Sequence, residues 1–345
     1  MPDTRRVWRT PRAGNLADLH LQDEPLPELP LGQVRVAVRA VGLNFADIFA
    51  LTGLYSATPS GAFIPGLEFA GVVIASHLEP SAEAAFKPGD RVMGCIRFGA
   101  YASVVDVAPA QLAPLPDNWD FGQGAAFLVQ TFTAWYALND LGALAPGRLT
   151  LIHSAAGGVG LQAMRICAAR GVPVIGTVSD ANKKKFLQQQ GFAEVLIRAP
   201  DFASQLCAAL ADRPLYLVLD AIGGPVQQAS FAALAPTGRL VVFGAADYAP
   251  GKRRPNWLKI AWKYLTRPRY DALAMISDNK SVLAFNLIWL WQHQSLFRQL
   301  LADVQALALP PPHVGHRFTF VDAASALECL RSGRSVGKVV LELPG

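Results

Sequence analysis

From Leu149 to Phe243 the sequence repeats one unit: a short apolar run, a turn, then a stretch of helical periodicity. The apolar runs are Leu149–Ile152, Val172–Ile175, Val195–Ile197, Leu215–Leu219 and Arg239–Phe243. The helical stretches fall at about 161–170, 181–190, 202–211 and 226–234. Strands that are apolar along their whole length need cover on both faces, and helices in the intervals supply it. The pattern therefore predicts an α/β fold with a doubly wound parallel sheet, extended by a last strand at Ser281–Phe285.

The first of these strands runs straight into His153-Ser-Ala-Ala-Gly157-Gly158-Val-Gly160, and helical periodicity begins at Leu161. Strand, glycine turn and helix in this order form the dinucleotide fingerprint of a Rossmann sheet. Gly157 and Gly158 let the backbone approach a pyrophosphate, Val159 lies between them and Gly160, and Gly160 permits close packing of helix on sheet. The helix start contributes amide donors and partial positive charge. Ser154 occupies the position of the usual first glycine. At the end of the second strand, where an acidic residue would hold the ribose of NAD, the chain reads Ser179-Asp180-Ala-Asn-Lys183-Lys184-Lys185. Ser179 and Lys183, with Arg198 after the third strand, suit a 2′-phosphate, so NADPH is the expected cofactor. Asp180 is the counter-indication, and a helix cap is its alternative role. Phe243 and Gly244, past the fifth strand, should border the crevice in which open α/β sheets bind ligands.

Residues 32 to about 115 look different, with short strand-like runs broken by turns at Val34–Val38, Gly71–Ile74, Arg91–Met93 and Tyr101–Val105. A strand-like Gly337–Leu341 near the C-terminus is expected to return to this β-rich unit. The predicted division is 1–123 with 291–345, and 124–290 carrying an insert at 247–280. With 52% hydrophobic and 17% charged residues in 345, the composition excludes a disordered chain. The most apolar stretch, Leu283–Trp291, is about half of a membrane span. The charged N-terminal stretch lacks a signal h-region, which points to the cytoplasm. Cys95, Cys167, Cys207 and Cys329 are widely spaced, form no zinc or redox motif, and are expected to be small buried hydrophobes. The formal charge is +5, yet residues 252–269 alone hold Lys252, Arg253, Arg254, Lys259, Lys263, Arg267 and Arg269 with no acid. Basicity this local does not imply nucleic-acid binding.

Several further motifs carry a family likeness: Val41-Gly-Leu-Asn44-Phe-Ala-Asp-Ile48, Thr52-Gly-Leu-Tyr55, Pro65-Gly-Leu-Glu68-Phe-Ala-Gly71, Lys87-Pro-Gly-Asp-Arg-Val92, Asp220-Ala-Ile-Gly-Gly224 and Gly337-Lys-Val-Val340. With the glycine turn they resemble the medium-chain dehydrogenase/reductase superfamily. Within it they resemble the zinc-free quinone oxidoreductases related to zeta-crystallin. The resemblance implies that the β-rich unit is a GroES-like domain. Where zinc-dependent members hold the metal with a cysteine and a histidine, this chain has Asn44 and Leu67, so no metal is expected. Without a Lewis acid alcohol oxidation is disfavoured, whereas a quinone or an activated C=C bond delocalises the incoming charge itself.

By the same resemblance Asn44 lies beside the nicotinamide and the substrate carbonyl, Tyr55 at the cleft mouth, and Thr133 toward the carboxamide. Read as single residues, Asn44 could equally cap a turn and Tyr55 be a half-buried aromatic. His153 reads as a packed histidine, Glu68 as the holder of a local turn, and His313 and His316 as loop residues. Trp257, Ile260, Ala261, Tyr264 and Leu265 form one apolar helical stripe inside the basic insert, and such an insert resembles that of the vesicle amine transport protein-like subgroup. Two placements are open for it: packed over the cleft or at a dimer interface with its lysines in water, or lying on an anionic membrane surface. The expected activity is NADPH-dependent reduction of a quinone. The alternatives are an enone or enoyl-thioester reductase, and a membrane-associated lipid-binding protein with a vestigial dinucleotide fold. The resemblance also implies a homodimer, through the uncovered edge at Ser281–Phe285.

Overall fold

The computed structural model describes residues 3–78 and 86–344. The chain opens with an antiparallel hairpin of β1 (Thr4–Arg9) and β2 (His20–Pro25). Strand β3 (Gln33–Gly42) leads through α1 (Phe45–Thr52) into β4 (Glu68–His77), β5 (Arg91–Cys95), β6 (Val104–Val107) and β7 (Leu112–Pro114). Helices α2 (Phe121–Gly124) and α3 (Leu128–Trp135) carry the chain to a second sheet. There β8 (Leu149–Ile152), β9 (Val174–Val178), β10 (Val195–Ile197), β11 (Leu215–Asp220) and β12 (Leu234–Val242) alternate with α4 (Gly158–Ala169), α5 (Ala181–Gln189), α6 (Phe202–Leu210) and α7 (Gly224–Ala232). Two short helices, α8 (Trp257–Leu265) and α9 (Ala272–Asp278), precede β13 (Ser281–Ala284). The chain then continues through α10 (Gln294–Ala306), β14 (Val314–Thr319), α11 (Ala323–Arg331) and β15 (Lys338–Glu342).

The second sheet is parallel throughout, in the order β10-β9-β8-β11-β12-β13. Strand order reverses between β8 and β11, so the crevice that binds ligands opens at their C-terminal ends. Leu151, Ile152, Val218, Leu219, Leu240 and Val241 are buried, which is why these runs are apolar without alternation. The first sheet has the order β14-β15-β3-β4-β5-β7, with β6 on β3. Thus β15 lies between β14 and β3, and residues near position 340 are hydrogen-bonded to residues near position 41. Helix α10 packs on α3, with Phe297 edge-on to Phe132 at 5.1 Å. No helix among the described residues is long and apolar enough to cross a membrane.

Three expectations are corrected. Cys95 and Cys167 are buried, but Cys207 is exposed and Cys329 half-buried; Cys207 lies on the outer side of α6, where a small side chain costs little. Tyr101 belongs to no strand, since β6 begins at Val104, and its ring fills the first core because its hydroxyl reaches Asp47 (3.1 Å). Packing of the insert over the cleft fails for α8, none of whose residues is buried within the chain, which leaves the dimer-interface and membrane placements open. Trp257, Leu258, Trp262 and Leu265 face outward, 59–86% exposed, while Lys263 turns inward to Asp247 (2.7 Å). The helix is therefore the reverse of an ordinary surface helix, in which the apolar stripe would be covered.

Candidate active site

At the end of β8 the backbone turns through Ser154, whose φ of +52° is left-handed. The turn closes when Gly157 N–H donates to Ser154 O (2.9 Å), and α4 starts at Gly158. A Cβ on Gly160 would lie 2.3 Å from Ser154 O, so only glycine lets helix and turn approach this closely. Among the described residues no side chain caps α4. The amides of Gly158, Val159 and Gly160, which have no intrahelical acceptor, are therefore free for a phosphate. The turn also touches the returning C-terminal segment: Gly337 N–H donates to Ala156 O (2.7 Å).

The residues expected at a 2′-phosphate gather beyond β9 and β10. Asp180 caps α5 through Lys183 N–H (3.1 Å) and accepts from the Ser179 hydroxyl (2.8 Å). It is thus a cap, the alternative role, and forms no ion pair with Lys183 among the described residues. Lys183 Nζ donates to Gly333 O, and Arg198 donates to Thr177 Oγ1 (3.2 Å). Burial lowers the Lys183 pKa, and the neighbouring Arg198 cation lowers it further against the pull of Asp180. The two cations thus stand close enough to feel one another's charge. His153 is a packed histidine: Thr177 Oγ1 and Ser230 Oγ each lie 2.8 Å from a ring nitrogen, and burial pushes its pKa to about 3, which keeps it neutral.

A second polar cluster lies across the crevice. Asn44 precedes α1, but its side chain does not cap the helix. The cap runs the other way, with Asn44 N–H donating to the Asp47 carboxylate (2.8 Å). The Asn44 amide is thereby free to turn to Glu68 (3.0 Å) and to Gly42 O (3.2 Å). Its Oδ1 accepts from Gln130 Nε2 (2.8 Å) and from Lys338 Nζ (2.9 Å), and Lys338 also pairs with Glu68. Glu68 is 1% and Lys338 4% exposed, so this ion pair is shielded from water. Glu68 further accepts from Gln130 Nε2 (2.8 Å) and Val129 N–H (3.2 Å), so it ties three chain segments together rather than holding one local turn. Burial lowers the Lys338 pKa and raises that of Asp47 to about 7. A Cβ on Gly158 would lie 2.7 Å from Gln130 Oε1. Gln130 therefore spans the distance between the glycine turn and Asn44.

Tyr55 stands apart from this cluster. Its hydroxyl donates to Asn286 Oδ1 (2.7 Å), just past β13, and burial pushes its pKa up to about 12. Next to it opens a cavity of ≈ 430 Å³ lined by Ser56, Ala57, Thr58, Pro59, Arg97 and Phe98. Thr133, one turn beyond Gln130 on α3, donates its hydroxyl to Val129 O (2.6 Å) and so can only accept from a ligand. Phe243 packs toward Phe285 at the end of β12, and a Cβ on Gly244 would crowd Ala221 at 3.1 Å. His313 is half-buried against Phe186, while His316 accepts from Val336 N–H (3.3 Å) in β14 and is not a loop residue. Gln130 and Lys338 escaped the reading of the sequence. The available signal was a lysine opening the otherwise apolar strand Lys338-Val-Val-Leu341, which demands a buried counter-charge.

Two family models match the chain: "Alcohol dehydrogenase GroES-like domain" at residues 30–117 and "Zinc-binding dehydrogenase" at 190–341. The human synaptic vesicle membrane protein VAT-1 homolog is 33% identical over 339 residues, covering 96% of this chain and 84% of that protein. Among solved structures, the mycobacterial protein Rv1454c complexed with NADPH superposes with a TM-score of 0.82 at 27% identity, over 98% of this chain and 100% of that one. The quinone oxidoreductase of Thermus thermophilus, also solved with NADPH, gives 0.77 at 30% identity over the same shares.

Proposed function

The chain belongs to the medium-chain dehydrogenase/reductase superfamily, in the VAT-1 subgroup of its quinone oxidoreductase branch, and from that premise we propose that it is a zinc-independent, NADPH-dependent quinone reductase. The observation that carries the reading is the glycine turn, free of any side-chain cap and joined through Gln130 to the buried Asn44–Glu68–Lys338 cluster. The residues fit the cofactor. Ser154, Gly157, Gly158, Val159 and Gly160 leave room and amides for a pyrophosphate. Ser179, Lys183 and Arg198 suit the 2′-phosphate, Thr133 the carboxamide, and Phe243 and Gly244 the crevice wall. Bound NADPH supplies a hydride to the acceptor, and with one proton from solvent a quinone becomes the hydroquinone and NADP⁺ leaves.

Tyr55 remains protonated at any working pH and so donates a hydrogen bond to the acceptor oxygen in place of Asn286. Both Asn44 amide hydrogens are already engaged, so Asn44 positions Lys338 and the nicotinamide edge rather than donating to substrate. The fixed Lys338 ammonium supplies positive potential that zinc-dependent relatives obtain from a metal. Leu67 and Asn44 stand at the places where zinc-dependent members carry their ligands, and neither side chain is a ligand of that type.

The test follows NADPH and NADH oxidation with 1,4-benzoquinone, 9,10-phenanthrenequinone and an α,β-unsaturated ketone. Quinone turnover with NADPH is expected, and turnover of the ketone alone would replace this reading with C=C reduction. Charge-assisted hydrogen bonds contribute about 1.5–3 kcal/mol each. Lys183→Ala with Arg198→Ala should therefore cut kcat/KM for NADPH by about 100-fold or more and leave NADH nearly untouched; an equal loss for both would remove these residues from the 2′-phosphate site.

Two contacts belong to the same proposal. β13 is the edge strand of its sheet, and the edge of a second copy covers it in a homodimer, which light scattering would detect as twice 37.0 kDa. The outward apolar face of α8, ringed by basic residues, lies on an anionic bilayer. Binding to phosphatidylserine vesicles should fall when Trp257, Leu258 and Trp262 become serine, and should weaken with salt. Equal sedimentation of the variant would reject the contact.

A further inference from the structure

The mouth of the cleft holds a cation that has no ionic partner among the described residues. Arg97 follows β5 and is fixed on both sides. Ile96 is buried and donates its N–H to Leu67 O (2.8 Å), and Phe98 packs edge-on to Phe63 at 5.7 Å. The guanidinium lies over the Trp289 ring, 4.3 Å from its centroid. Trp289 is 41% exposed and rooted by the buried Leu287 and Ile288. Among the described residues Arg97 joins no carboxylate and donates no hydrogen bond.

Stacking uses the face of a guanidinium and leaves its in-plane N–H groups unspent. Arg97 lines the cavity whose wall includes Ser56, the neighbour of Tyr55, and its charge is close enough to oppose the upward pull of burial on the Tyr55 hydroxyl. A planar array of free donors on a stacked, pre-set cation fits one ligand chemistry, an oxyanion received edge-on through two parallel hydrogen bonds. Tyr55 and Arg97 also share their backing, since Asn286 holds the first and Trp289, three residues on, holds the second.

We propose that Arg97 selects electron acceptors bearing an oxyanion group, placed away from the bond that is reduced at Tyr55. The inference rests on the reductase reading and adds the substrate class to it. Carboxylate, sulfonate and phosphate share this chemistry. It can come from a charged quinone or from the phosphate of a thioester carrier.

The experiment compares 1,4-naphthoquinone-2-sulfonate with 1,4-naphthoquinone, and crotonyl-CoA with crotonyl-pantetheine, at low and high ionic strength. The expected result is a preference for the charged member of at least one pair, about tenfold in kcat/KM and carried by KM. It should shrink with salt, disappear in Arg97→Gln and partly return in Arg97→Lys. Whichever pair shows it identifies the source of the oxyanion. No preference in the wild type, or one that survives Arg97→Gln, would overturn the assignment. Calorimetric titration of the four compounds into the NADP⁺-loaded protein separates this inference from the reductase reading. Selective binding of a charged member without turnover leaves Arg97 standing and removes the reductase, whereas turnover of the uncharged quinone with equal binding of both members does the reverse.

Discussion

Lys338→Met should lower the unfolding free energy by about 3–5 kcal/mol, because it leaves the Glu68 carboxylate buried without its counter-charge. The double variant Lys338→Met with Glu68→Gln should recover most of that loss, since removing both charges also removes both desolvation costs. Urea denaturation followed by circular dichroism measures each variant. A single variant within about 1 kcal/mol of wild type would mean that the pair contributes no more than a surface salt bridge. Activity separates from stability in this series. The double variant should fold but reduce quinones slowly, as the fixed positive potential beside Asn44 is gone; wild-type kcat in it would remove Lys338 from the proposed mechanism.

Gly160→Ala is expected to weaken NADPH binding by about 100-fold or more, equivalent to about 3 kcal/mol. The new Cβ would meet Ser154 O at 2.3 Å and Ala155 Cα at 2.7 Å, both backbone atoms. No rotamer relieves such a contact, so the glycine turn must open and the three free amides of α4 must move off the pyrophosphate. Overpacking of this kind also costs about 1–3 kcal/mol of stability. Protein fluorescence quenching by NADPH gives the affinity and thermal melting the stability. A folded variant that binds NADPH as the wild type does would show that the turn is structural only.

Much of the parallel sheet was legible, because a strand covered on both faces must be apolar along its length. Leu149–Ile152 and Val195–Ile197 were read with their observed limits. β9 begins at Val174 rather than Val172, where Pro173 provides no N–H for the ladder. The hairpin of β1 and β2 was not legible, because Arg5, Arg6, Asp23 and Glu24 make both segments read as polar until they are paired across the strands. Strand Tyr101–Val105 was misplaced for a different reason: Tyr101 is apolar toward the core and polar toward Asp47, and its burial says nothing about pairing. In the site, the glycine turn announced itself within eight residues. The Asn44–Glu68–Gln130–Lys338 cluster did not, because its members come from four segments that only the finished sheet brings together. Nor could composition show that α8 turns its apolar side to water, since periodicity gives a stripe and not the direction it faces.

The place of β15 has a consequence for biosynthesis. This strand follows every other element in chain order, yet it lies inside the first sheet, between β14 and β3, and it brings Lys338 to Glu68. During translation the dinucleotide-binding sheet can close on itself while Glu68 still waits for its ammonium partner. Glu68 is thus made 270 residues ahead of its counter-charge, and the buried pair that ties β15 to β4 forms only after Lys338 has been synthesised.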